Sequence, residues 1–269
     1  MKLKKTLILG IALLGLTSCQ GRSDRGSSID GSSIDNGSTT SISEVTDITF
    51  PEDVTISDDD AISEMSVSGI FIDLSIGTHL VVNKEYNVNF SFPSSFKGQP
   101  VFECSQTGIL NFELVSGTTY KMTALKQGGT ILTIKDEDGI MYYRNAINAR
   151  NKLTKEQVLH YAVNEVNYYE SQFYNTNSNN YKIMFETEST AIFQATEDGV
   201  YLGNMDLELT YVGENDNAEY SEYEFSLTYE AENEANTLSP SYLNISTVAD
   251  IIHFGNENGI YDFFKPVEK

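Results

Sequence analysis

The chain has 269 residues, enough for one or two domains of ordinary size, and a formal net charge of −22 at pH 7. That balance argues against a nucleic-acid partner, because a phosphate backbone requires a basic footprint. With 2 cysteines and 3 histidines there is little material for a disulfide framework or a zinc cluster.

In chain order the first element is an export signal. Lys2, Lys4 and Lys5 lead an apolar run from Leu7 to Leu16, which is shorter than the roughly 20 residues that span a bilayer. The run ends in Leu16-Thr17-Ser18-Cys19, which resembles the lipobox of bacterial lipoproteins. The resemblance implies a signal peptide over residues 1–18, cleavage after Ser18, and attachment of membrane lipid, palmitate included, to Cys19. Each buried methylene contributes about 0.8 kcal/mol, so a cysteine carrying at least two acyl chains is stably anchored without a spanning helix. The implied location is a bacterial membrane, facing outside the cytoplasm at the cell surface. Lipid on Cys19 would leave Cys104 without a disulfide partner.

Residues 19–60 read as a lipid-anchored flexible linker. Gly26-Ser27-Ser28-Ile29-Asp30 is repeated at once as Gly31-Ser32-Ser33-Ile34-Asp35. Such composition buries too little apolar area to offset the entropy of ordering, so residues 20–45 are expected to form a disordered stalk. Asp58-Asp59-Asp60 lacks the ligand spacing and glycine of a calcium loop and reads as a solvated charge run.

Residues 61–150 change to short alternating runs. Ile70, Ile72 and Leu74 alternate with Phe71 and Asp73, and Val88, Phe90 and Phe92 alternate with Asn87, Asn89 and Ser91. Phe102 and Cys104 flank Glu103, and Ile131 and Thr133 flank Leu132. Period two broken by glycine points to an antiparallel sandwich, with Asp138-Gly139 as a hairpin turn. Gly128-Gly129 reads as a second turn. Leu74-Ser75-Ile76-Gly77, Phe102-Glu103-Cys104-Ser105 and the stretch from Tyr120 to Ile134 follow one another in a familiar order. Together they resemble the group 2 bacterial immunoglobulin-like domain found in surface proteins and adhesins such as intimins. The resemblance covers residues 66–149 and implies an immunoglobulin-like β-sandwich. Cys104 stands where that family often has tryptophan, and reads as a small buried hydrophobe.

Residues 151–269 open with a helix signal. Thr154 and Gln157 have capping-box spacing, and Val158, Ala162, Val166, Tyr169 and Phe173 mark one helical face. Strand-like runs follow at Tyr181–Phe185, Ala191–Ala195, Leu207–Tyr211 and Tyr223–Tyr229, with Asp198-Gly199 as a hairpin signal and a longer turn from Gly213 to Ala218. Ser246–Gly255 reads as a second, short helix. The expected fold is mainly β: an immunoglobulin-like sandwich, then an acidic, Tyr-rich α+β domain with a long helix packed on an antiparallel sheet.

This last segment holds 5 basic and 21 acidic residues, which accounts for most of the net charge. Most of its carboxylates alternate with apolar residues, as in Glu222-Tyr223-Glu224-Phe225, and so are expected on the wet face of strands rather than in an acid pair for glycoside hydrolysis. His79, His160 and His253 lie in separate segments with no metal or triad spacing, and read as surface or packing residues. No catalytic residue, metal site or cofactor is expected. Twelve of the 16 tyrosines follow residue 150. Tyrosine suits binding surfaces, and Tyr168, Tyr174, Tyr220 and Tyr242 are the candidate ligand contacts. The expected function is non-enzymatic: adhesion to, or binding of, a protein or glycan through residues 151–269. A structural envelope component without a diffusible ligand is the first alternative, and an unrecognised hydrolase or inhibitor domain the second.

Overall fold

Alternation of apolar and polar residues builds the first half. In β2 (Glu85–Asn89), Tyr86 and Val88 are buried while Glu85, Asn87 and Asn89 face water, as period two requires. β2 pairs with β5 (Thr119–Ala124), which pairs with β4 (Leu110–Ser116), giving a three-stranded antiparallel sheet. A second sheet has the order β1-β7-β6-β3, formed by β1 (His79–Val81), β7 (Met141–Arg150), β6 (Gly128–Lys135) and β3 (Val101–Cys104). In it β1 runs parallel to β7 and the other pairs are antiparallel. Both sheets feed one core, with Leu80, Leu132, Ile134 and Ile147 from one and Val88, Tyr120 and Met122 from the other. Cys104 packs at the edge of this core, half-buried, and burial pushes its thiol pKa up.

The protein is mainly β. The computed structural model describes residues 48–57, 59–61, 79–173, 179–217, 221–231 and 239–269, all within one compact unit. Cys19, the stalk over 20–45 and the Ile70–Gly77 part of the immunoglobulin-like resemblance lie outside the described residues.

Helix α1 (Lys155–Asn164) starts where the capping box places it. The Thr154 hydroxyl accepts from the Gln157 N–H, and the Gln157 side chain accepts from the Thr154 N–H. Thr154→Ala is expected to cost about 1 kcal/mol, read as a lower urea midpoint with an unchanged slope.

The helix is shorter than its periodicity predicts. It stops at Asn164 with Glu165 as C-cap, and Val166–Ser171 is a strand, β8. The remaining strands are β9 (Asn180–Thr187), β10 (Thr190–Glu197), β11 (Val200–Asp216), β12 (Ser221–Ala231), β13 (Tyr242–Ser246), β14 (Ile252–Asn256) and β15 (Gly259–Glu268). Each pairs antiparallel with the next, and β8 pairs with both β9 and β15. The result is a closed eight-stranded up-and-down barrel, not the open sheet under a long helix expected from sequence. The Ser246–Gly255 segment expected as a helix is the end of β13, a turn and most of β14. The turn expected over Gly213–Ala218 begins later, because β11 continues to Asp216 past a bulge at Tyr211/Gly213. Asp198-Gly199 is a hairpin turn, with both residues at positive φ.

Tyr169, Ile183, Phe193, Met205, Leu207, Leu243, Ile245, Phe254 and Phe264 fill the barrel, and α1 adds Val158, Leu159 and Ala162. This is a second core, separate from that of the two sheets. Side chains fill the barrel as they do in other small closed barrels. Outward positions on β11 and β12 carry Asp206, Glu208, Thr228 and Glu230.

Candidate functional site

Residues 48–57 lie within the expected linker, but they are docked. Ile48 and Phe50 pack against the barrel core. Four residues on, Val54 N–H donates to the Asn148 side chain at 2.9 Å, and the Asn148 amide donates back to the Val54 carbonyl at 3.0 Å. The asparagine side chain thus stands in for a strand neighbour. Gly129 makes room for this strap: a Cβ there would sit 2.6 Å from Val54 Cγ2 and 2.2 Å from Asn148 Oδ1. Gly129 is therefore the second residue of β6 beneath the strap, not part of the turn expected from sequence.

The strap delivers Asp53 to His79, at the start of β1. The imidazole Nε2 lies 2.8 and 2.9 Å from the two Asp53 oxygens. On the other side, Nδ1 lies 3.1 Å from Asp250 Oδ2, and the same oxygen accepts the His79 backbone N–H at 2.9 Å. Asp250 is aimed by the tight turn between β13 and β14. There the Ser246 hydroxyl accepts the Val248 N–H, and Ala249 is held at φ 58. Left-handed backbone at a buried alanine is strain, and it is stored where the turn presents its carboxylate.

Arg150 extends the cluster. Its guanidinium stacks 3.9 Å from the Phe50 ring centroid, and Nη2 is 3.6 Å from Asp53 Oδ2. Phe50 meets Tyr161 edge-on at 5.1 Å, and the Tyr161 hydroxyl donates to Glu268 at 2.6 Å. Burial, then the Glu268 hydrogen bond and charge, push the Tyr161 phenol far above its ordinary range. Burial also works to raise the Asp250 carboxyl. The His79 hydrogen bond and charge, with Ser246 and Arg150, outweigh it and hold the group at about 2. Among the clefts that border the strap, one of about 400 Å³ is bounded by Phe50, Arg150, Tyr161 and Glu268. Another, of about 310 Å³, is bounded by Asp53, His79, Asp250 and Lys265.

Chemically this is an ionic junction. Both imidazole nitrogens lie within hydrogen-bond distance of carboxylates, which only accept. Among the described residues no group of three or more His, Cys, Asp and Glu side chains is arranged to hold a metal ion. His253 is likewise buried, paired through Nδ1 with Glu222 and set edge-on against Phe263 at 4.8 Å. Of the histidines expected as surface or packing residues, His79 and His253 are buried among carboxylate partners. His160 is half-buried on α1 beside Asn164.

The four candidate tyrosines do not gather. Tyr168 on β8 is half-buried, with Lys182 Nζ 4.0 Å from its ring centroid. Tyr242 lies on β13, three strands away around the barrel. Tyr174 and Tyr220 lie outside the described residues. The outward wall of β11 and β12 shows a feature that periodicity alone did not reveal. From Ile183 to Phe264 there are 17 acidic residues and no lysine or arginine. Asp206 and Glu230 stand directly opposite each other in register, a like-charge pairing that costs stability. The signal was present in the sequence as a gap in lysine and arginine. Compared with family models, curated proteins and solved structures, the chain matches none.

Proposed function

We propose that the chain is a non-enzymatic, lipid-anchored lipoprotein of the bacterial cell surface that carries an immunoglobulin-like module and binds a protein or glycan through its C-terminal barrel. The observation that carries this reading is the outward wall of β11 and β12, where Asp206, Glu208 and Glu230 are exposed and uncompensated by lysine or arginine on β10–β14. Solubility asks for interspersed charge, not for carboxylates directly opposed across a ladder. The Cys19 lipobox supports the anchor. One experiment addresses both halves. The native chain and Cys19→Ala are compared for membrane partition, then presented to glycan arrays and envelope extracts. The expected result is a membrane-bound native chain with a lipidated N-terminal cysteine, a variant released from the membrane, and salt-sensitive binding that weakens in Asp206→Asn/Glu230→Gln. An unmodified native N-terminus would sink the anchor. Binding by neither form would leave the structural envelope role in its place.

A further inference from the structure

His79 lies at the meeting point of three parts of the chain that are far apart in sequence. Asp53 reaches it from the strap, Asp250 from the β13–β14 turn, and Arg150 lies beside Asp53 at the end of β7. Lys265 and Glu268 from β15 border the same cleft, and Tyr86 of β2 lies within electrostatic reach of Asp250. We propose that His79 is a proton-operated latch for the strap: the doubly protonated ring holds Asp53 and Asp250 at once, and loss of one ring proton releases Asp53.

The asymmetry of the two carboxylates decides which contact fails. Asp250 is almost fully enclosed, with 2% of its side chain exposed, whereas the Asp53 side chain is 39% exposed. A neutral imidazole donates from one nitrogen only. Withdrawing the ring donor from a buried carboxylate costs more than withdrawing it from one that water can reach, so the remaining proton stays on Nδ1, facing Asp250. Nε2 then turns a lone pair toward Asp53, less than 3 Å away at 2.8 and 2.9 Å, and attraction becomes repulsion. Asp250 also keeps the His79 backbone N–H, so the two modules stay joined there while the strap loosens. The strap keeps the Asn148 pair at Val54, the Phe50–Arg150 stack, the packing of Ile48 and Phe50 on the barrel core with the Phe50–Tyr161 edge contact, and the longer Arg150–Asp53 contact of 3.6 Å. This latch does not depend on the binding role proposed for the barrel.

The test is made on the full chain. Imidazole ¹⁵N shifts of His79 report the ring proton, and hydrogen exchange over residues 48–57, corrected for the intrinsic pH effect, reports docking. As pH rises through the ring titration, strap protection should fall by about tenfold or more, the effect of losing one hydrogen bond to a charged group. Protection at Ile147, in the core beside the strap, should stay constant and certify the fold. In Asp53→Asn, the carboxamide can accept from Nε2–H or donate to bare Nε2, so strap protection should no longer change with pH. Gly129→Ala, which crowds Val54, should loosen the strap at every pH and serves as the open reference. The proposal is overturned by a flat wild-type profile across the ring titration. It is equally overturned by a ring that never loses its proton up to about pH 10, or by a wild-type drop that persists in Asp53→Asn.

Discussion

Replacing Phe193 with alanine is expected to cost about 3 to 5 kcal/mol, the range for removing a fully buried aromatic ring. Phe193 points into the barrel from β10 with 0% exposure. Its ring stacks on Phe254 at 5.0 Å and meets Tyr181 and Phe264 edge-on at 5.6 and 6.4 Å, so four strands lose a shared contact at once. A closed barrel relaxes poorly around such a hole, because each wall strand is hydrogen-bonded on both sides. For a domain this size about 1 kcal/mol shifts the melting temperature by about 2 to 4 °C, so calorimetry should show a fall of roughly 6 to 20 °C. Phe173→Ala is the control: that ring is 62% exposed and touches Phe263 edge-on, so its loss should cost about 0.5 kcal/mol. Equal effects for the two would mean that the barrel interior is not the stabilising core.

Much of the strand pattern was legible, and the closure of the barrel was not. The Tyr181–Phe185, Ala191–Ala195 and Tyr223–Tyr229 runs were read as strands because each alternates cleanly, and each falls within a strand. Closure depends on β8, whose residues carry on the helical periodicity of α1. Val158, Ala162, Val166, Tyr169 and Phe173 continue a helical spacing without a break, and neither glycine nor proline marks the change at Glu165. The local composition says otherwise: Val166-Asn167-Tyr168-Tyr169 is rich in strand formers, and tertiary pairing with Pro266 and Val267 settles it. The same conflict hid the turn at Ser246–Ile251, where a non-glycine residue at positive φ gives no sequence signal. The ionic junction was invisible for a different reason. Asp53 and Asp250 are 26 and 171 residues from His79, so no local spacing joins them. What the sequence did show was the capping box at Thr154 and the hairpin at Asp198-Gly199, because those depend on neighbours in the chain alone.

Removing the Asp250 carboxylate is expected to be as costly as emptying the barrel core, and to change how the protein responds to acid. Asp250 and His79 are both buried, and breaking such a pair costs about 3 to 5 kcal/mol; His79 keeps Asp53 on its other nitrogen, which places the expected cost at the lower end of that range. Asp250→Ala should therefore lower the urea midpoint sharply at neutral pH. The pH dependence follows from the carboxyl's position at about 2 in the folded chain, against an ordinary value of 3.8. The folded value is the lower one, so between the two the unfolded chain takes up a proton that the native chain refuses. Stability from this group is complete above about pH 4 and disappears as pH falls through about 2; the difference amounts to about 2 kcal/mol. Asp250→Asn isolates the charge, since the carboxamide oxygen still accepts from His79. That variant should be less stable than wild type at pH 7, and its stability should fall less steeply between about pH 4 and pH 2. The two curves should converge at the acid end, where the wild-type carboxylate is itself neutralised. Parallel curves across that interval would place the acid sensitivity in other carboxylates and remove Asp250 as the group that ties the turn to β1.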